Sequence, residues 1–171
     1  MRKIGFIGLG NMGGPMALNL VSSGLSVIGY DVDEKANLLA KENKIEIAID
    51  IDSLVKDIDV LITMLPASEH VTRVYLEENL LEKLDKSILV IDCSTIAPEV
   101  SIKVASAAKD AGLSMIDAPV SGGVAGAHAG TLTFITGGSV ENIKRATPVL
   151  EKMGQQVLHA GDNGSGQIAK I

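Results

Sequence analysis

The chain has 171 residues, 46% of them apolar and 21% charged, enough for one domain that buries roughly 70% of its unfolded surface without disulfide or metal staples. A net charge of −6 and an aromatic content of 2% leave neither a basic footprint nor stacking platforms, which excludes a nucleic-acid partner. No apolar run approaches the roughly 18 residues of a membrane span and no charged-then-apolar leader opens the chain, so the expectation is a mature, soluble, cytoplasmic protein with no membrane partner.

The first apolar run, Ile4 to Ile7, leads into Gly8-Leu9-Gly10-Asn11-Met12-Gly13, behind which Met12, Met16 and Leu20 recur at helical spacing. That pattern reads as strand, tight turn and helix. In the dinucleotide-binding form of this unit the first glycine allows the turn, the second lets backbone approach a pyrophosphate and the third lets helix pack on strand. The helix N-terminus then offers free N–H groups to the phosphates. A second run, Ser26 to Tyr30, ends at Asp31, 23 residues after Gly8, close to the spacing of roughly 20 expected for an acid that holds the adenosine ribose. The alternative for Asp31 is a plain surface acid.

The spacing next predicts a helix over Glu34 to Glu42 with Ala36, Leu39 and Ala40 on one face, and a short strand near Ile45 to Ala48. One or two helical turns follow at Asp50 to Lys56, and a strand at Ile58 to Met64 is stopped by Leu65-Pro66. Ser68 is placed to cap a helix whose Val71, Val74 and Tyr75 point inward. A strand over Ile88 to Ile91 closes on Asp92-Cys93-Ser94-Thr95, and Pro98 suits the first turn of a helix carrying Val100, Val104, Ala107 and Ala111 inward until Gly112 ends it. Cys93 is the only cysteine; it suits a reducing compartment and reads as a small buried apolar side chain rather than a nucleophile. Leu113 to Ile116 is a sixth strand, Asp117 to Gly130 a loop rich in Gly and Ala, and Thr131 to Thr136 another strand. Ser139 caps a helix with Val140, Ile143, Thr147 and Leu150 in phase, Gln156 to His159 closes the sheet, and Asn163 to Ile171 begins a further helix. Strands alternating with helices argue for an α/β fold: a doubly wound, Rossmann-type, mostly parallel sheet with helices on both faces. The domain is expected over residues 1–162, with 163–171 the start of a further helix that is cut off.

In such a sheet ligands sit outside the carboxyl ends of the strands. Gly8 to Gly13 would take the pyrophosphate and Asp31 the ribose, and a carboxylate there repels a 2′-phosphate, favouring NAD over NADP. Leu65-Pro66 and Ser94-Thr95 stand at the next strand ends, where they either line the nicotinamide half or, for Ser94 and Thr95, cap the following helices. Ser121-Gly122-Gly123 exposes consecutive N–H groups able to hold a carboxylate, the alternative being a plain flexible loop. Lys170 on composition alone is a solvated surface residue. His70, His128 and His159 lie far apart with no ligand spacing, so no metal site is expected.

Five stretches resemble the beta-hydroxyacid dehydrogenase family: FIGLGNMGGPMALNL at Phe6 to Leu20, TMLP at Thr63 to Pro66, DCST at Asp92 to Thr95, DAPVSGGVAGAHAGTLTFITGG at Asp117 to Gly138, and GSGQIAKI at Gly164 to Ile171. The resemblance implies NAD, less readily NADP, bound at Gly8, Leu9, Gly10, Asn11, Met12, Gly13, Asp31, Leu65, Pro66 and Thr95. It implies reversible oxidation of a small beta-hydroxy acid, with 3-hydroxyisobutyrate the first choice, whose carboxylate is held by Ser121, Gly122 and Gly123 and whose hydroxyl proton passes to Lys170 as catalytic lysine. His70 falls where relatives often carry another polar residue. Family members add an all-helical second domain after the lysine-bearing helix and form homo-oligomers, so the chain reads as a dinucleotide-binding half whose own turnover is doubtful. A sibling reductase acting on glyoxylate, succinic semialdehyde or tartronate semialdehyde is the alternative within the family. A non-catalytic NAD-binding module is the alternative outside it.

Overall fold

The computed structural model describes residues 2–171. Five parallel βα steps open the chain: β1 (Lys3–Ile7), α1 (Gly13–Ser22), β2 (Ser26–Tyr30), α2 (Glu34–Glu42), β3 (Glu46–Ile47), α3 (Ile51–Leu54), β4 (Val60–Thr63), α4 (Ser68–Thr72), α5 (Leu80–Lys83), β5 (Leu89–Asp92) and α6 (Pro98–Asp110). Then come β6 (Ser114–Asp117), β7 (Val120–Ser121), α7 (Gly123–Ala129), β8 (Leu132–Gly137), α8 (Val140–Leu150), β9 (Gly154–Gly161) and α9 (Ser165–Lys170). Strands β3, β2, β1, β4, β5 and β6 lie side by side in that order and all run parallel. Strand β8 then runs antiparallel to both β6 and β7, and β9 pairs parallel with β8. The doubly wound architecture expected from the alternation is therefore present, with its order reversing between β1 and β4, where such folds bind ligands.

Successive residues of each strand feed two cores, as the period of two requires. Ile4, Phe6, Val60, Ile62, Leu89 and Ile91 join Met16, Ala17, Leu20, Ala127, Ile143 and Leu150 on one face. Ile7, Leu61, Ile88 and Val90 join Leu54, Val71, Tyr75, Leu80, Val104 and Ala108 on the other.

Several local expectations are corrected. The stretch Asp117 to Gly130 is not a loop: it carries β7 and α7, bracketed by Gly122 (φ +137°), Gly123 (φ +63°) and Gly130 (φ +71°), whose missing side chains permit the turns into and out of so short a helix. Tertiary contact overrides the weak helix propensity there, since Ala127 is buried and its carbonyl accepts from Asn19 Nδ2 at 2.7 Å. Ser68 does not cap α4; Ala67 occupies that place, and the Ser68 hydroxyl accepts from the Ala97 N–H at 3.0 Å. After α4 the chain widens into a π-helical turn, Arg73–Glu77, that places the Tyr75 hydroxyl 2.8 Å from Thr63 Oγ1. Leu39 and Val140 face solvent instead of the core, and on α2 it is Asn37 that turns in with Ala40. The Ser139 cap is as expected, accepting from the Asn142 N–H at 3.1 Å.

Candidate cofactor and substrate site

The register aligns the strand ends. Ile7 lies beside Tyr30 and Thr63, Thr63 beside Asp92, and Asp92 beside Asp117, so the segments that follow all emerge on one edge of the sheet. Those segments contain every residue singled out above except Lys170, which arrives on α9.

Each glycine of the first turn occupies a different environment. Gly8 has φ +101° and a Cβ there would overlap the Met64 carbonyl oxygen; a Cβ on Gly13 would overlap the carbonyl oxygen of Gly8. A Cβ on Gly10 would meet nothing within 4 Å. Two glycines are thus demanded by packing within the chain and the third guards open space, as an approaching pyrophosphate requires. Among the described residues, the N–H groups of Gly10, Asn11 and Met12 have no hydrogen-bond acceptor, while Leu9 N–H is taken by Asp31 Oδ2 at 2.7 Å. Free donors at the start of a ten-residue helix fit a dianionic ligand. Asp31 Oδ1 also accepts the Asp33 N–H at 2.8 Å, and Asn37 grips the Asp31 backbone at both its N–H and its carbonyl, at 2.9 and 2.7 Å. Each carboxylate oxygen keeps a further lone pair for a ribose hydroxyl.

Beneath the next two strand ends lies a buried polar network. Asp92 Oδ1 accepts from Thr63 Oγ1 (2.9 Å), Ser94 N–H (3.1 Å) and Ser94 Oγ (2.6 Å), and Ser94 Oγ accepts from Leu65 N–H (2.8 Å). Burial pushes the Asp92 carboxyl up to about 6, against the pull of the Ser94 and Thr63 donors, and the neighbouring Asp117 adds to the rise. Burial likewise raises the Tyr75 hydroxyl and the Cys93 thiol, so Cys93 is the buried apolar group expected and no nucleophile. The network fixes Leu65 relative to Ser94. Leu65 is half-buried, and Pro66 and Thr95 are exposed above it.

On the far side Ser121, Gly122 and Gly123 are exposed between β7 and α7. Asp117, buried at the root of the same segment, accepts from Gly164 N–H (2.8 Å) and Gln167 N–H (3.1 Å), pinning the start of α9. Burial raises its carboxyl while these backbone donors lower it. Gln167 is wholly buried and bonds the Ser94 carbonyl and the Ile96 N–H. Lys170 stands three residues later on the same face of α9 and is half-buried. The structure thereby brings the glycine turn, Asp31, Leu65, Pro66, Thr95 and the Ser121–Gly123 segment to one edge, with Lys170 on a helix tied to that edge. Among the described residues, none bonds Lys170 directly to Ser121–Gly123. His70 Nδ1 is buried without a partner among the described residues.

Asn37, Asp92 and Gln167 carry much of this geometry and were not singled out by sequence. A polar residue on an otherwise inward helical face marks Asn37 and Gln167; an acid ending an apolar strand marks Asp92.

Residues 3–161 match the family described as the NAD binding domain of 6-phosphogluconate dehydrogenase. The chain belongs to that family. It is 52% identical, along its whole length, to a 3-hydroxyisobutyrate dehydrogenase of Pseudomonas aeruginosa and covers 58% of that protein. It is 46% identical to an NAD-dependent L-serine dehydrogenase of the same organism, again covering 58% of it. The solved structure of Mycobacterium tuberculosis 3-hydroxyisobutyrate dehydrogenase with L-serine superposes with a TM-score of 0.96 at 42% identity, over 99% of this chain and 58% of that one. The family resemblance and fold read from the sequence are borne out, and the chain spans a little over half the length of these relatives. Among the described residues, no helix is long and apolar enough to cross a membrane.

Proposed function

We propose that the chain is the cofactor-binding part of an NAD-dependent dehydrogenase that oxidises 3-hydroxyisobutyrate, or a closely related beta-hydroxy acid, reversibly to its semialdehyde. The observation that carries the cofactor reading is the pairing of an open Gly10 with a carboxylate, Asp31, fixed at the end of β2. Gly8 to Gly13 would hold the pyrophosphate and Asp31 the adenosine ribose, with Leu65, Pro66 and Thr95 along the nicotinamide half. When bound, the oxidised nicotinamide supplies the hydride acceptor. Ser121, Gly122 and Gly123 offer hydroxyl and N–H donors to a substrate carboxylate, which orients the hydroxy acid. Lys170, in its uncharged form, takes the hydroxyl proton as general base. A cation placed beside a lysine favours that uncharged form. The two Pseudomonas relatives support the substrate class, since 3-hydroxyisobutyrate and serine are both 3-hydroxy acids.

Fluorescence titration of the chain with NADH and NADPH tests the cofactor assignment. NADH is expected to bind more tightly, and Asp31→Ala to narrow the gap by weakening NADH, since an acceptor for about two hydrogen bonds of roughly 0.5–1.5 kcal/mol each is lost. A preference for NADPH in the unaltered chain rules the assignment out.

A further inference from the structure

We propose that Gln167 is a positioning residue, whose side-chain amide locks the lysine-bearing helix α9 to the cofactor-lining segment Ser94–Ile96 and so sets where Lys170 stands. The inference rests on the reading of Lys170 as proton acceptor and adds the residue through which that lysine is placed.

Gln167 Nε2 donates to the Ser94 carbonyl at 2.7 Å and Gln167 Oε1 accepts from the Ile96 N–H at 3.1 Å. A donor to one neighbour of Thr95 and an acceptor from the other is the pattern a residue on an adjacent parallel strand would make. The amide therefore substitutes for a strand partner at the point where β5 has ended, fixing the backbone on both sides of the exposed Thr95. Its own backbone N–H is held by Asp117, the root of the Ser121–Gly123 segment. One residue thus joins the loop after β5, the end of β6 and the helix of Lys170, which lies one turn on along the same face. Ser94 extends the chain of fixed groups to Leu65 through its hydroxyl.

Packing alone does not call for glutamine there. A fully buried amide is uncommon, and an apolar side chain of equal length would fill the volume without desolvating four hydrogen-bonding sites. A neutral amide satisfies both partners at any pH. Glutamate has the same shape, yet when ionised it lacks the donor for the Ser94 carbonyl.

The test uses the chain with 13C at lysine Cε, the Lys170 resonance being assigned by Lys170→Arg, and follows Lys170 titration with saturating NAD+ or NADH. Only the oxidised nicotinamide carries a positive charge, so in the unaltered chain the proton affinity of Lys170 is expected to be roughly tenfold lower with NAD+ than with NADH. In Gln167→Ala and Gln167→Glu the ratio is expected to fall to within about twofold while NADH still binds, because the lysine no longer keeps its distance from the ring. Exchange of the Ile96 amide hydrogen is expected to quicken by roughly tenfold or more in Gln167→Ala, reporting loss of its acceptor even where stability changes little. An unchanged ratio in both variants, or unchanged exchange at Ile96, overturns the proposal. No difference between NAD+ and NADH in the unaltered chain removes Lys170 from the cofactor and overturns the underlying reading with it.

Discussion

Asp92 should show the reverse of the usual effect of acid on stability, and replacing it with asparagine should remove that effect. Asp92 is buried at the end of β5, and its carboxyl is raised from the ordinary 3.8 to about 6. A folded-state value above the unfolded one means that the native protein binds the proton more tightly. The stabilising contribution is then fully present below about pH 3.8 and is lost as pH rises through about 6. That difference corresponds to about 3 kcal/mol, roughly half of which falls between about pH 5 and pH 8. Asparagine retains a carbonyl oxygen for the Ser94 and Thr63 donors but does not titrate, so it serves as the reference. Urea unfolding of both proteins at several values between about pH 5 and pH 8 gives the two stabilities. Relative to Asp92→Asn, the unaltered chain should lose roughly 1–2 kcal/mol from the acid to the alkaline end. A flat difference, or one that rises with pH, would show that the Thr63 and Ser94 donors balance or outweigh desolvation, and would refute the account of this network.

Gly10→Val should abolish NADH binding while changing unfolding free energy by no more than about 0.5 kcal/mol, because its side chain enters space that the chain leaves open; retained NADH affinity would make the turn purely structural. Gly13→Ala should do the opposite first, costing about 1–3 kcal/mol through overlap with the Gly8 carbonyl, seen as a thermal midpoint lowered by roughly 2–12 °C. Lys170→Ala should leave NADH affinity within about twofold but cut turnover of the complete enzyme by roughly 10² to 10⁴, the usual range for a general base; a large loss of cofactor affinity instead would make Lys170 a binding residue.

Much of the fold was legible because it rests on local signals. Apolar runs of four or five residues, glycine at the turn and serine at the start of α8 each act within a few positions, and the alternation of strand and helix limits the sheet to few arrangements. The Gly8–Gly13 turn and the acid after β2 were readable for the same reason. What stayed hidden depends on partners far along the chain. Asp31 meets Leu9, Asp92 meets Thr63, and Gln167 meets Ser94 and Ile96 only once the strands are in register. Helix α7 was missed because its composition disfavours helix, and contact with α1 decides the matter. Ser68 was misread because a serine ahead of a helical run predicts a cap, whereas its hydroxyl serves the Ala97 N–H across the site. The role proposed for Lys170 had no local signal and entered through family resemblance.

The double duty of Asp31 bears on how cofactor choice could change in this lineage. The carboxylate that would discriminate against a 2′-phosphate also takes the Leu9 N–H that shapes the phosphate turn. Exchanging it for a neutral residue leaves that amide without its acceptor at the same moment that the phosphate is admitted. If Asp31 selects NAD as proposed, a switch to NADP demands a paired change, one to welcome the phosphate and one to rebuild the turn. Single substitutions at position 31 should yield poor binders of both cofactors rather than converts.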